Sequence, residues 1–431
     1  MRNFFRQWSV LARYPNFTKL FIGGTTSLLG SNITAVAMPL TAVLMLDASP
    51  AQVGLLGAVG FVPHLVLGLP AGVWLGRASY RRTLVIADLT QMLLLATIPL
   101  LAMLDALRIW HLYLVVLLTG VCSLFGTVAT TSFVPALVGR DHLLQANTVS
   151  AQSNSVVSTV GSALGGTLVQ LLTAPIAILV DAVSFLLSAL CNGLIREPGP
   201  AVASEEVARE EVAREPQRRR LAGEIAGGIG AVFGHPILRP LIVAAALGAL
   251  AGQMQNVILV LFLAREVGLS PSLVGAIVAV SGVASIVGAL AAAPITERIG
   301  HGPGFILGGF LAAIAGFGLA AAAGPMPLVL GVLVLAQVLR GAGPPLYGIN
   351  QVTVRQALAA PDMLARVNAT WRFLVFGTQP IGALLGGAAG GLIGLRVTFV
   401  ASSLGMLFAV AVAVWSPLRT FRRLPGEGTA A

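Results

Sequence analysis

Apolar residues run along this chain in stretches too long for a strand or for one face of a surface helix, and polar residues collect in the short intervals between them. The runs cover residues 20–46, 51–75, 83–104, 109–133, 147–172, 176–195, 240–263, 272–295, 303–323, 328–350, 367–391 and 397–417. A helix needs ~20 residues to cross ~30 Å of hydrocarbon at ~1.5 Å per residue, so each run predicts one spanning helix. Two longer stretches without Asp, Glu, Lys or Arg, 143–180 and 299–339, each contain a turn signal that divides them: Thr173-Ala174-Pro175 and Gly324-Pro325-Met326-Pro327. Only helices and closed barrels span a bilayer, and a barrel strand alternates polar with apolar positions, which these runs do not. The chain is therefore expected to be an all-α membrane protein with about twelve transmembrane helices.

The runs repeat. Sliding the chain over itself by 221 residues aligns its halves without a gap: Tyr14-Pro15 meets His235-Pro236, and Leu20 meets Leu241. Ser49-Pro50-x-x-Val53-Gly54 meets Ser270-Pro271-x-x-Val274-Gly275, and Arg77 meets Arg298. Further on, Ala136-Leu137-x-x-x-Asp141-x-Leu143-x-x-x-Asn147 meets Ala357-Leu358-x-x-x-Asp362-x-Leu364-x-x-x-Asn368. Gly161-x-x-Leu164-Gly165-Gly166 meets Gly382-x-x-Leu385-Gly386-Gly387. An offset of six helices returns the chain to the face where it began, so the two six-helix repeats are parallel, related by an axis along the membrane normal. The expected organisation is an amphipathic segment at 1–16, bundles at 17–195 and 239–418, a cytoplasmic linker at 196–238, and a tail at 419–431.

Composition agrees with a bilayer as solvent. Of 431 residues, 56% are hydrophobic and 10% charged, where a soluble domain carries roughly a quarter charged. The net charge of +10 would suit a nucleic-acid partner, but the placement of the cations excludes that use. Alternate loops collect Arg2, Arg6, Arg13, Lys19, Arg77, Arg81, Arg82, Arg140, Arg298, Arg355, Arg366, Arg419, Arg422 and Arg423, while the opposite side has Arg108, Arg265 and Arg396. Cytoplasmic loops retain Lys and Arg, so both termini and the linker are expected in the cytoplasm. The N-terminal segment does not read as a removed signal peptide; Phe4, Phe5, Trp8 and Leu11 suit a helix lying on the inner membrane face. In the linker, Glu205 with Arg209 and Glu210 with Arg214 have helix-supporting spacing. Cys122 and Cys191 fall inside apolar spans and read as small packing residues.

Candidate chemistry lies in the polar residues that the spans tolerate. Five ionisable side chains sit within apolar runs: His64, Asp88, Asp181, Arg340 and Arg372, and each such group is costly in hydrocarbon. Asp88 is expected to pair with the Arg77–Arg82 cluster, Asp181 to bond between helices, and Arg372 to snorkel. Arg340, mid-span and permanently charged, needs a carboxylate, carbonyls, water or an anionic ligand. Asn32 and Gln253 correspond across the repeat, and with Gln255, Asn256, Gln152, Asn154, Gln337 and Gln379 they supply sparse hydrogen-bonding points. The same groups equally suit bonds between helices. Gly161, Gly165 and Gly166, with Gly382, Gly386 and Gly387, are expected to admit close helix contacts, as does Gly68-x-x-x-Gly72-x-x-x-Gly76. No phosphate-binding GxxxxGK[ST] loop, metal spacing or nucleophile motif is present, so no cofactor, metal or enzymatic activity is expected.

After the second span the chain reads Gly72-Val73-Trp74-Leu75-Gly76-Arg77-Ala78-Ser79-Tyr80-Arg81-Arg82, and in the second half Thr296-Glu297-Arg298-Ile299-Gly300. These residues resemble the signature of the major facilitator superfamily, with Gly76 where the first copy's acid belongs. The resemblance covers Phe17 to Leu418 and implies a conformational latch made of Gly72, Arg77, Arg81, Arg82, Asp88, Glu297 and Arg298. It also implies a substrate cavity lined by His64, Asn32, Gln253, Asn256, Gln337, Arg340 and Gln379. Ser27-Leu28-Leu29-Gly30, Ser49-Pro50-Ala51, Leu144-x-x-Ala146-Asn147 and Asp181-Ala182-x-Ser184-Phe185 are similar to the bacterial drug, macrolide and siderophore exporters of the enterobactin-exporter type. That subfamily implies a monomer in the bacterial cytoplasmic membrane, exporting a small lipophilic or amphiphilic molecule in exchange for protons. A nutrient importer, a flippase of lipid-like molecules, and a non-transporting receptor or scaffold remain open alternatives.

Overall fold

The computed structural model describes residues 2–75, 78–196, 229–230, 232–359 and 363–422. Regular structure among them is entirely helical, and twelve helices are long and apolar enough to cross a membrane. The helices of the first half are α1 (Arg2–Arg13), which is not one of the twelve, α2 (Pro15–Leu44), α3 (Pro50–Val59) and α4 (Val62–Leu75), which share one span, α5 (Tyr80–Met103), α6 (Ile109–Val138), α7 (Leu143–Leu172) and α8 (Ala174–Gly193). In the second half they are α9 (Leu238–Leu261), α10 (Pro271–Ile299), α11 (His301–Ala321), α12 (Met326–Leu358), α13 (Leu364–Leu392) and α14 (Leu395–Val414). Several helices outrun their apolar stretch: α6 reaches Val138, α7 starts at Leu143, and α12 continues to Leu358. Hydropathy marks only the part of a helix that needs lipid, whereas backbone hydrogen bonding carries the helix on through polar residues.

The chain forms two compact units: Met1–Ala48, Val59–Pro216 and Ser270–Ala276 in the first, and Ser49–Ala58, Gln217–Leu269 and Ile277–Ala431 in the second. The short entry segments to the second and eighth spans thus group with the opposite half from the one that sequence order assigns. The first of these segments ends at a break. α3 stops at Val59 and α4 begins at Val62, because Pro63 has no N–H to donate and its ring crowds the carbonyl of residue 59. The repeat partner of Pro63 is Ala284, and α10 runs unbroken through it.

Within the first unit α2 packs along α7 and α8, and α5 lies against α6 and α8. Within the second, α9 packs along α13 and α14, and α11 lies against α12 and α14. These are the same pairings shifted by one repeat. Lipid is as apolar as leucine, so the hydrophobic effect gives such helices little reason to associate, and close contact with polar bonding has to hold them. Glycine provides the contact. A methyl group placed on Gly161 would lie 2.6 Å from Asn32 Cβ, and one on Gly382 would lie 3.2 Å from Gln253 Cβ, the repeat counterpart. On Gly165 it would meet Ile33 O at 2.9 Å, and on Gly386 Met254 O at 2.6 Å. Gly166 abuts the backbone of Gly275 in the first unit, and Gly387 abuts that of Gly54 in the second. Gly120 against Pro63 and Gly341 against Ala284 complete the series.

The amphipathic α1 differs from expectation. Val10 is buried, and Trp8 and Leu11 pack with it against Phe17, Val138, Ala146 and Val149 rather than turning only to a lipid surface. Tyr14 alone separates α1 from α2, and Thr18 Oγ1 donates to Tyr14 O at 3.2 Å, so the tight joint holds α1 beside the start of α7. The Glu205–Arg209 and Glu210–Arg214 pairs and most of the linker lie outside the described residues, as does the tail beyond Arg422.

Candidate functional site

Near the middle of α12, half-buried Arg340 turns toward α9, where its guanidinium donates to Asn256 Oδ1 at 2.9 Å. Two residues singled out separately in the sequence thus meet. Gln337, one turn earlier, does otherwise. It is fully buried and its Nε2 donates to the carbonyl of Ile277 on α10 at 3.1 Å, which corrects its expected place in a substrate cavity. A residue three positions before Arg340 points to a different neighbour of the same helix, and α10 approaches closely there because Gly341 lies against Ser281. Gln255 is likewise buried, donating to Ser403 Oγ of α14 at 3.1 Å.

The remaining predicted positions are dispersed. Asn32 donates to Leu28 O of its own helix at 2.8 Å. Gln253 and Gln379 are half-buried with no hydrogen-bond partner among the described residues, and His64 is exposed on α4. Gly72 lies on α4, and Arg77 lies outside the described residues.

The acids of the first unit are held by neutral donors. Asp88 Oδ2 accepts from Ser188 Oγ at 2.8 Å and Asn192 Nδ2 at 2.9 Å, both on α8. The expected ion pair between Asp88 and the arginine cluster is therefore corrected. Arg81 is two helical turns before Asp88, about 10 Å along the axis, and donates instead to Gly193 O at the end of α8. Lys19 Nζ reaches Leu194 O at 2.8 Å and Asn16 Nδ2 reaches Arg196 O at 3.1 Å, so the carbonyls at this helix terminus, its negative end, are met by cations and an amide. Arg82 is exposed, its backbone N–H capped by Ser79 Oγ at 3.2 Å. Deeper in, Asp181 accepts from Thr34 Oγ1 at 2.6 Å and Ser184 Oγ at 3.1 Å, bonding α8 to α2.

In the second unit Glu297 and Arg298 are exposed at the end of α10. The neighbouring Thr296 bonds the buried Asn350 of α12, whose Oδ1 lies 3.0 Å from His301 Nδ1 at the start of α11. Sequence reading missed this three-helix knot. Its signal was a single amide, Asn350, at the last position of an apolar run. At the other end of the unit, Arg396 Nε pairs with Glu266 at 2.7 Å and Arg396 Nη1 donates to Ala320 O at 2.9 Å. Among the described residues no group of three or more metal-ligating side chains occurs.

Twelve candidate spans in two repeats, with polar side chains sparse in their interiors, define a polytopic membrane protein. The Major Facilitator Superfamily model matches residues 20–255 and 241–430, and the chain belongs to that superfamily, a family of transporters rather than enzymes. It is 27% identical over 401 residues to the multidrug efflux pump Tap of Mycolicibacterium fortuitum, covering 90% of this chain and 92% of that protein. It is 28% identical to the enterobactin exporter EntS of Escherichia coli O1:K1, covering 98% of this chain and 97% of that one. The nucleoside transporter NupG shares the fold, with a TM-score of 0.72 at 13% identity over 93% of this chain and 98% of that one. A bacterial homologue of the human lysosomal transporter Spinster does too, with a TM-score of 0.70 at 18% identity over 96% and 99%.

Proposed function

We propose that the chain exports a small lipophilic or amphiphilic compound from a bacterial cell by proton antiport with alternating access. The observation that carries this reading is similarity along nearly the whole chain to two proteins named for efflux, a multidrug pump and a siderophore exporter. The asymmetric distribution of Arg and Lys supports placement in the cytoplasmic membrane with both termini inside. A monomer suffices, since both repeats lie in one chain. Arg340, Asn256, Gln253 and Gln379 of the second unit, and Asn32 and His64 of the first, serve the substrate, each unit offering it a few polar points among apolar residues, as suits an amphiphile. The paired glycines Gly161, Gly165 and Gly166 with Gly382, Gly386 and Gly387 serve the sliding contacts. Gly72, Arg77, Arg81, Arg82, Glu297 and Arg298 latch the cytoplasmic loops, and Asp88 contributes by fixing α5 to α8 rather than by meeting an arginine.

Expression in a bacterium stripped of its own efflux pumps tests this reading. Accumulation of an amphiphilic compound panel is measured with and without a proton ionophore. Lower accumulation that the ionophore restores is the expected result. Higher accumulation would indicate uptake, and unchanged accumulation of every compound would point to a non-transporting role.

A further inference from the structure

Arg340 is held by fewer partners than Arg396 and Arg355, two other cations carried on helices of the second unit. Arg396 has Glu266, and Arg355 bonds Gln351 at 3.1 Å and lies 4.6 Å over the Trp371 ring. Arg372 is exposed. Arg340 meets the neutral Asn256 and no carboxylate among the described residues. A guanidinium carries five N–H donors in a planar fork and stays charged, so one amide oxygen leaves most of its capacity unused. Asn256 spends its carbonyl oxygen on Arg340, so its NH2 group offers two further donors, and no hydrogen-bond partner for it occurs among the described residues. Together the pair presents a positive charge and more donors than acceptors. That is the complement of an anion able to accept two hydrogen bonds at once.

The repeat argues against a purely architectural reason for the pair. The position equivalent to Arg340 is Thr119, whose hydroxyl returns to Val115 O of its own helix at 2.8 Å, and the equivalent of Asn256 is Ala35. The first half packs α6 and α2 without any such link, so the architecture common to both halves does not require one in α12 and α9.

We propose that Arg340 and Asn256 form a recognition point for an acidic group, a carboxylate or phenolate, on the transported molecule, making the preferred substrates amphiphilic organic anions. This rests on the transport reading above and narrows its substrate class. The full-length protein in phosphatidylcholine liposomes is tested with 11-(dansylamino)undecanoic acid and its primary amide, a pair differing in charge at one end. Wild type is expected to prefer the acid about tenfold, as charge-assisted hydrogen bonds imply, and Arg340→Gln to bring the ratio to about one. Arg340→Lys, keeping the charge but not the fork, is expected between them, while Thr119→Val keeps the wild-type ratio. Equal transport of both probes by wild type, or an unchanged ratio in Arg340→Gln and Arg340→Lys, overturns the proposal.

Binding of the same probes in phosphatidylcholine nanodiscs separates the two readings. Should wild type transport neither probe yet bind the acid in an Arg340-dependent way, the recognition point stands and export fails. Should it bind neither preferentially, the recognition point fails. Loss of acid preference on adding phosphatidylglycerol assigns the point to a lipid phosphate and overturns the substrate claim.

Discussion

In the first half of the chain Gly161 lets α7 press on Asn32 of α2; 221 residues later Gly382 lets α13 press on Gln253 of α9. The match extends to Gly165 with Gly386, Gly166 with Gly387, and Gly120 with Gly341, each facing the counterpart of the other's neighbour. The charges do not follow. Asp88 and Asp181 of the first half become Gly309 and Ser402 in the second, and Arg340 of the second becomes Thr119 in the first. A repeated backbone needs the same small residues wherever helices touch, so those positions mirror each other. Chemistry needs a given group once. Positions that break the repeat while burying charge are therefore where the two halves acquired different work.

The comparison breaks most severely at the glycines. In Gly387→Leu the new Cβ would lie 2.6 Å from Gly54 Cα and 2.7 Å from Pro50 O, both backbone atoms that have little room to shift. Gly166→Leu would strike Gly275 Cα, also at 2.6 Å. Both are expected to reduce transport to background, and by similar amounts, in the same cell accumulation assay. Gly24→Leu, with nothing within 4 Å, should leave it unchanged. Unequal losses from the two mirrored sites would dissolve the equivalence of the halves.

A second test exchanges the asymmetric acids. Asp88→Leu strands the donors of Ser188 and Asn192, and each buried unsatisfied group costs about 1–3 kcal/mol. A fall in the melting temperature of the detergent-purified protein is the expected reading, with Asp88→Asn milder. Gly309→Asp, its mirror, sets a Cβ 3.1 Å from Val410 Cγ2 and adds a carboxylate beyond it, and should destabilise as well. If Gly309→Asp were neutral, the neutral donors around Asp88 would not be what lets the first half hold it.

The smallest effect is at the helix entries. His235 Nδ1 accepts from the N–H groups of Ile237 at 3.1 Å and Leu238 at 3.3 Å, and burial holds the imidazole below its ordinary 6.5. A bare nitrogen accepts and a protonated one does not. The contribution is therefore present at neutral pH and lost as the pH falls through the depressed folded-state value. Tyr14, its counterpart, makes no side-chain cap to α2. His235→Asn should flatten a stability loss of at most about 1 kcal/mol between pH 7.5 and 5.5, read by thermal melts.

Much of this architecture was written in apolar run length and in the repeat offset, because a bilayer permits few solutions and a gene-level duplication leaves its register behind. The helix ends were less legible: the polar continuation of α12 past Asn350 carries no hydropathy signal. The break at Pro63 was visible as a residue but not as the point where α3 and α4 join different units, since that depends on contacts across hundreds of residues. Among candidate residues, the pairing of Arg340 with Asn256 could not be read from spacing, as α9 and α12 are distant in sequence. Gln337 and Asp88 were misdirected for one reason. Sequence places a polar group at a depth in the membrane, but which of several neighbouring helices it faces is decided by angles of a few tens of degrees around the helix axis.

The central claim is that proton movement one way drives an amphiphile the other way through these two repeats. Proteoliposomes holding the purified protein, given an acidic lumen and 11-(dansylamino)undecanoic acid outside, measure it directly against protein-free liposomes. The account predicts protein-dependent entry of the probe that ends when nigericin collapses the gradient. Entry that persists without a gradient, or that needs an alkaline lumen instead, would contradict it.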